Sequence, residues 1–191
     1  MKSLIRTFIA TGVLAGVAIT ASAMTLPRNL NLSKESKLWI EGTSTMKSFS
    51  CSATKIDVSV MAEPGSAPAE IVRSASLVVP VASLDCGNGT MNSHMKKALK
   101  ADGSPQIFWK MSSYSVTGTD VTMKGRLSIA GTENPFELKA TGNAEGDGTI
   151  RMKGSTKFRM SEFGVKPPSL MMGSMKVGDP VTVSFDLVLT P

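Results

Sequence analysis

The chain has 191 residues, 21 Lys and Arg against 15 Asp and Glu for a formal charge of +6, 5% aromatic residues and 13 methionines. That length suits one domain with a sizeable core. The basic residues are spread along the chain without aromatic interleaving, which argues against nucleic-acid binding. A single histidine, His94, leaves little room for Ser-His-Asp or Cys-His catalysis.

Residues 1–23 read as a secretory signal peptide. Lys2 and Arg6 form a basic head, residues 8–21 carry no charge, and Ala21-Ser22-Ala23 has the small-residue cleavage pattern. The uncharged run is too short for a spanning helix, which needs about 20 apolar residues. The mature protein is therefore expected in a bacterial periplasm. Residues 24–36 read as a polar leader, and residues 37–191 as the folded domain.

The first strand is predicted near 37–42, with Leu38 and Ile40 on one face. Residues 45–54 and 55–62 continue the pattern, and Ile56, Val58 and Val60 alternate. Residues 64–68, Pro-Gly-Ser-Ala-Pro, are a turn. Residues 70–84 read as one long strand with Ile71, Ala75, Leu77, Val79 and Val81 on one parity, and Pro80 suggests a bulge or an edge. The one helix lies between Asn88 and Gly103, where Met91, Met95, Ala98 and Leu99 recur at helical spacing. Lys96, Lys97 and Lys100 suit its C-terminal end, and Gly103 is a stop signal.

Alternation then resumes. Ile107, Trp109 and Met111 share a face, followed by Val121, Met123, Leu127 and Ile129. Residues 131–135 are predicted to turn, and Phe136, Leu138 and Ala140 return the chain. After a turn at 146–148, Ile150, Met152, Phe158 and Met160 fall on one parity and Arg151, Lys153, Lys157 and Arg159 on the other. Residues 165–176 are a Pro/Met-rich loop, and Val181, Val183, Phe185, Leu187 and Leu189 complete the sheet.

About eight antiparallel strands with short connections and one helix define an all-β domain. Each strand has one buried and one wet face. Eight strands closed into a barrel hold packed side chains or one small ligand; a two-sheet sandwich is the alternative. No repeat or second domain is visible. The apolar parity predicts a tube lined by Ile107, Trp109, Met111, Met123, Leu127, Phe136, Leu138, Ile150, Met152, Phe158, Met160, Val183, Phe185 and Leu187.

The two cysteines, Cys51 and Cys86, in an exported chain predict one disulfide. The alternative, a redox pair or thiolate ligands, lacks a Cys-x-x-Cys or a neighbouring His. No Gly-x-Ser-x-Gly elbow, phosphate loop or dinucleotide fingerprint is present. Carboxylates sit mainly at turns or on wet parities. The pattern is that of a non-enzymatic binding protein without a cofactor. Met91, His94 and Met95 on the helix and Met171, Met172 and Met175 in the last loop keep a second class open. Thioethers and imidazole suit Cu(I). Unbranched methionine also suits a flexible apolar lid over a ligand entrance.

Several stretches carry a resemblance. They are Gly42-Thr43-Ser44-Thr45-Met46-Lys47-Ser48-Phe49, residues 78–84 (Val-Val-Pro-Val-Ala-Ser-Leu), Met91 to Leu99, Ser104-Pro105-Gln106-Ile107-Phe108-Trp109, residues 125–132 (Gly-Arg-Leu-Ser-Ile-Ala-Gly-Thr), Phe163-Gly164 and Val177-Gly178-Asp179-Pro180-Val181. In this order, across residues 37–189, they resemble the YceI-like family of periplasmic, lipocalin-like polyisoprenoid-binding proteins. The family often has His where this chain has Lys47, and Tyr where it has Ser104. The resemblance implies an eight-stranded lipocalin-like barrel with one short helix and an elongated apolar cavity. It further implies storage or transport of an isoprenoid quinone, polyprenol or other long-chain lipid, with transient membrane contact. It carries over no catalytic residue.

Overall fold

A computed structural model of the protein describes residues 28–63, 71–145, 147–170 and 174–191. The signal peptide and the 64–68 turn lie outside the described residues. The strand segments are β1 (Arg28–Leu32), β2 (Lys37–Ser44), β3 (Ser48–Ala53), β4 (Asp57–Glu63), β5 (Ile71–Pro80), β6 (Leu84–Asp85), β7 (Gln106–Thr117), β8 (Asp120–Ile129), β9 (Thr132–Ala144), β10 (Ile150–Arg159), β11 (Ser169–Leu170) and β12 (Met175–Thr190). One helix, α1, spans Gly89–Ala98. Among the described residues no helix is long and apolar enough to cross a membrane.

All ladders are antiparallel, and they run β1-β4-β5-β7-β8-β9-β10-β12. The sheet then closes, because Asn31 and Leu32 of β1 pair with Thr190 and Leu189 of β12. The described residues thus form a closed eight-stranded barrel with one helix, as the alternation predicts, and the sandwich is excluded. The other end of β12 pairs with β2, which pairs with β3. Only residues 33–36 separate β1 from β2, and 54–56 separate β3 from β4. Each pair is therefore one wall strand bent at a corner, and closure leaves few unpaired edges.

Four expectations need correction. The fold does not wait until residue 37: Leu30 is buried in β1, which is needed to close the barrel. Pro80 does lie on a local edge, opposite Gln106 of β7 but beyond the last β4 pair at Val78; it ends β5 and opens a single 3-10 turn at Val81–Ser83, so 70–84 is not one strand. Residues 132–135 are strand rather than turn. The reversal is tighter, at Ala130 and Gly131, both with positive φ (52° and 82°), the geometry of a two-residue hairpin turn. Pro135 fits within β9 because β10 pairs only with residues 140–144 of it, leaving Pro135 on a local edge. Finally, the 165–176 loop holds a two-residue ladder, Ser169–Leu170 against Met175–Lys176.

Apolar clusters fill one end of the barrel. Leu30, Val60, Ala62 and Leu189 are buried there, with Ile150 and Met152 packed against them. On the outer face, Arg151 grips Asp186 through two bonds of 2.9 and 3.0 Å, and Lys153 approaches it at 3.2 Å. The Arg151 hydrogen bond, aided by Lys153, holds the Asp186 carboxyl below its usual range. A depressed folded-state value stabilises the fold above the ordinary carboxylate pKa. That contribution is lost as pH falls through the folded-state value. Asp186→Asn should therefore cost about 1 kcal/mol or less at pH 7, and its melting temperature should converge on wild type in acid.

Candidate functional site

The other end of the barrel is hollow. A cavity of about 750 Å³ lies inside it, against an ordinary protein interior with few voids larger than a water molecule. The value falls within the range of about 300–1,000 Å³ usual for ligand sites. Most of the wall strands contribute their inward parity: Leu38 and Ile40 from β2, Leu77 and Val79 from β5, Ile107 and Trp109 from β7. Leu127 and Ile129 of β8, Phe136 and Leu138 of β9, Phe158 of β10, and Val181, Val183 and Phe185 of β12 complete the ring. Helix α1 covers one side with Met91, His94, Met95 and Ala98, and Leu99 follows.

Nine of the predicted lining residues border this cavity: Ile107, Trp109, Leu127, Phe136, Leu138, Phe158, Met160, Val183 and Phe185. Met111, Met123, Ile150, Met152 and Leu187 do not. They pack among the clusters that fill the barrel interior elsewhere. Parity assigned their face correctly but says nothing about depth along the barrel axis. Reading strand parity alone also missed Phe49, Phe163 and Val165, which border the cavity. The helical spacing of Met91 and Met95 was the available signal for the helix wall.

Polar groups collect at the mouth. Ser44, Met46 and Lys47 at the β2–β3 turn, Asn88 and Thr90 at the start of α1, and Pro168 and Met175 of the last loop border the opening. Met46 is 70% exposed. Lys47 and His94 are the titratable lining side chains among the described residues, and no carboxylate borders the cavity there. Deeper in, the polar atom to account for is the indole N–H of Trp109. It is buried without a hydrogen-bond partner, and its edge lies over Gly125 of the neighbouring strand. The wall is apolar to the bottom.

Side-chain bonds hold the mouth in shape. Cys51 of β3 and Cys86, just after β6, form a disulfide, so the thiols are neither redox-free nor available as ligands. Asn88 caps α1, accepting from the Met91 N–H at 3.0 Å. Asn92 accepts from the Cys86 N–H and donates to Asp85, fixing the helix beside the disulfide. The Asn92 bond, with the Gly87 N–H, keeps the Asp85 carboxyl below its usual range. Across the opening, Asp179 accepts from the N–H and hydroxyl of Ser161, which holds the 3-10 turn Met160–Phe163 in place; these bonds lower its carboxyl too. Phe163 of that turn meets Phe136 and Phe158 edge to face, with centroids 6.2 and 5.5 Å away.

Met91, His94, Met95 and Met175 border the same cavity, so the fold does bring the helix and the last loop to one opening; Met171 and Met172 lie outside the described residues. Among the described residues no three His, Cys, Asp or Glu side chains converge. The geometry defines a barrel whose apolar pocket opens at one end past a helix.

Comparison with known proteins agrees with that class. A family profile for the YceI-like domain matches residues 32–189, and the chain belongs to this family. Its fold is similar to that of BcnA of Burkholderia cenocepacia: TM-score 0.71, 23% identity, 83% of this chain and 99% of that one. It is also similar to a polyisoprenoid binding domain from Saccharophagus degradans: TM-score 0.63, 12% identity, 87% of this chain and 98% of that one. A YCEI protein of Campylobacter jejuni superposes with TM-score 0.59 at 19% identity, over 72% of this chain and 82% of that one. No curated protein sequence matches the chain.

Proposed function

We propose that this protein is a non-enzymatic periplasmic carrier or store for a polyisoprenoid or similar long-chain amphiphile. Isoprenoid quinones and polyprenols are the leading candidates. One observation carries the reading: a cavity of about 750 Å³ whose interior wall is apolar and whose polar lining residues sit at the mouth. A long apolar tail gains about 25 cal/mol for each Å² it buries there, less the cost of ordering. Its polar head stays at the opening, near Lys47, His94 and Thr90. Family membership and the likeness to a polyisoprenoid binding domain support the same ligand class. During loading, the exposed Met46 beside Lys47 meets the bilayer surface.

Native mass spectrometry and organic extraction of the protein isolated from a periplasm test this. The expected result is one long-chain apolar molecule per barrel. Protein that is always recovered empty, and that takes up no polyprenol or quinone from micelles, would refute it.

A second reading has its own observation. The thioethers of Met91, Met95 and Met175 and the His94 imidazole border one opening, and such ligands suit Cu(I). We favour the apolar-lid role, because unbranched methionines repack around an entering chain. Cu(I) titration against a competing chelator should then show no tight site. A stoichiometric nanomolar site, about −12 kcal/mol, lost when these four residues are replaced, would reverse the ranking.

A further inference from the structure

Three glycines face the lumen, and each lies beneath an aromatic ring of a neighbouring strand. Gly42 of β2 is directly opposite Phe49 of β3, and Gly154 of β10 is directly opposite Phe185 of β12. Gly125 of β8 lies diagonally from Trp109 of β7. A Cβ built on Gly42 would fall into the Phe49 ring, with Cε1 at 2.8 Å. One on Gly154 would meet Phe185 Cε1 at 2.9 Å, and one on Gly125 would meet Trp109 Cε2 and Nε1 at 2.9 Å. None of the three has positive φ, unlike the turn glycines at 87, 118, 131, 148 and 164. Backbone conformation therefore does not call for glycine at these positions, whereas space does. Each ring lies against bare backbone and adds to the wall instead of projecting across the bore.

We infer that Gly42 sets the width of the lumen entrance, and so decides whether a methyl-branched chain passes as readily as an unbranched one. The inference rests on the lipid-carrier reading. Gly42 is the decisive position for two reasons. Phe49 lies close to the mouth, in the strand that follows the Ser44–Lys47 turn. The three atoms nearest a Gly42 Cβ also all belong to the Phe49 ring, whereas at Gly125 and Gly154 the nearest include the Lys110 and Lys139 carbonyl oxygens. A side chain at 42 forces the ring off the wall. The disulfide at Cys51, two residues along the same face, restrains the strand from following it. The ring then stands in the bore, where a chain with regular methyl branches needs more room than a straight one.

The test compares wild type, Gly42→Val, Phe49→Ala and the double variant Gly42→Val/Phe49→Ala, each with a polyprenol and an unbranched fatty alcohol of matched length. Binding is read by native mass spectrometry and by displacement of a fluorescent probe. Gly42→Val should weaken polyprenol binding by about tenfold or more, the scale of a misplaced methyl in an apolar pocket, with a clearly smaller loss for the alcohol. The double variant should recover most of the polyprenol affinity, because the obstructing ring is gone. If Gly42→Val does not fold, Gly42→Ala should give the same order with a smaller gap. Equal losses for both chains, no loss for either, or a loss that persists in the double variant would overturn the inference. Wild type that takes up neither chain would instead refute the carrier reading beneath it.

Discussion

Phe158→Asp is expected to abolish lipid binding at pH 8 and to regain much of it by pH 5. Phe158 borders the cavity in a triangle of rings with Phe136 and Phe163, whose centroids are 5.4 and 5.5 Å away. No Lys or Arg borders that depth among the described residues; the lining side chains Lys47 and His94 lie on the β2–β3 turn and on α1. In the empty barrel a carboxylate there keeps its water. A bound chain displaces that water and supplies no hydrogen bond, which costs an ionised group more than about 4 kcal/mol, or about a thousandfold in affinity. The way out is protonation. Burial disfavours the charged form and raises the pKa by up to about 3–5 units from the ordinary value of about 3.9. Below the raised value the group is neutral and the penalty shrinks. Phe158→Asn controls for lost packing, since it removes the ring without adding a titrating group. Displacement titrations from pH 8 to 5 should show the Asp variant converging on the Asn variant. Parallel, pH-independent curves would mean that Phe158 is remote from the bound chain.

What the sequence disclosed follows from which signals are periodic. Ile107 with Trp109, Phe136 with Leu138, and Val183 with Phe185 alternate strictly with polar neighbours, so the barrel and half of its cavity wall were readable from parity. Parity is blind along the axis, which is why Met152 and Leu187 were read as lumen and instead fill the packed interior. β1 contains only Leu30 and Leu32 between asparagines, too short a pattern to register, yet it closes the barrel. Pro135 signalled a turn by composition, and tertiary pairing overrode it because that part of β9 has no partner on one side. The lumen glycines were the least legible feature. A hydropathy reading scores Gly42 as neutral. Its role appears only once Phe49 is known to lie across from it.

The disulfide should be the largest single contributor to stability outside the core. Replacing both Cys51 and Cys86 with Ala should lower the melting temperature by about 10 °C. The bond joins residues 35 apart, and on the chain-entropy estimate closing such a loop is worth about 4 kcal/mol. In a domain of this size each kcal/mol moves the midpoint by about 2–4 °C. The loss should also be local. Cys51 is 3% exposed, and both half-cystines border the cavity beside Ser44–Phe49 and the start of α1. Without the bond, α1 is held at its N-terminal end by the Asp85–Asn92 and Cys86–Asn92 hydrogen bonds. The helix and the β2–β3 turn should then exchange amide hydrogens faster than β7–β9, and lipid should leave faster because its entrance has lost its brace. Differential scanning calorimetry and hydrogen exchange of wild type and the double Ala variant read both effects. A melting shift of only a degree or two, with uniform exchange, would show that the bond is redundant with the packing around it. Faster exchange confined to the mouth, with an accelerated off-rate, would show that the barrel's binding kinetics depend on a covalent tie placed where the chain must enter.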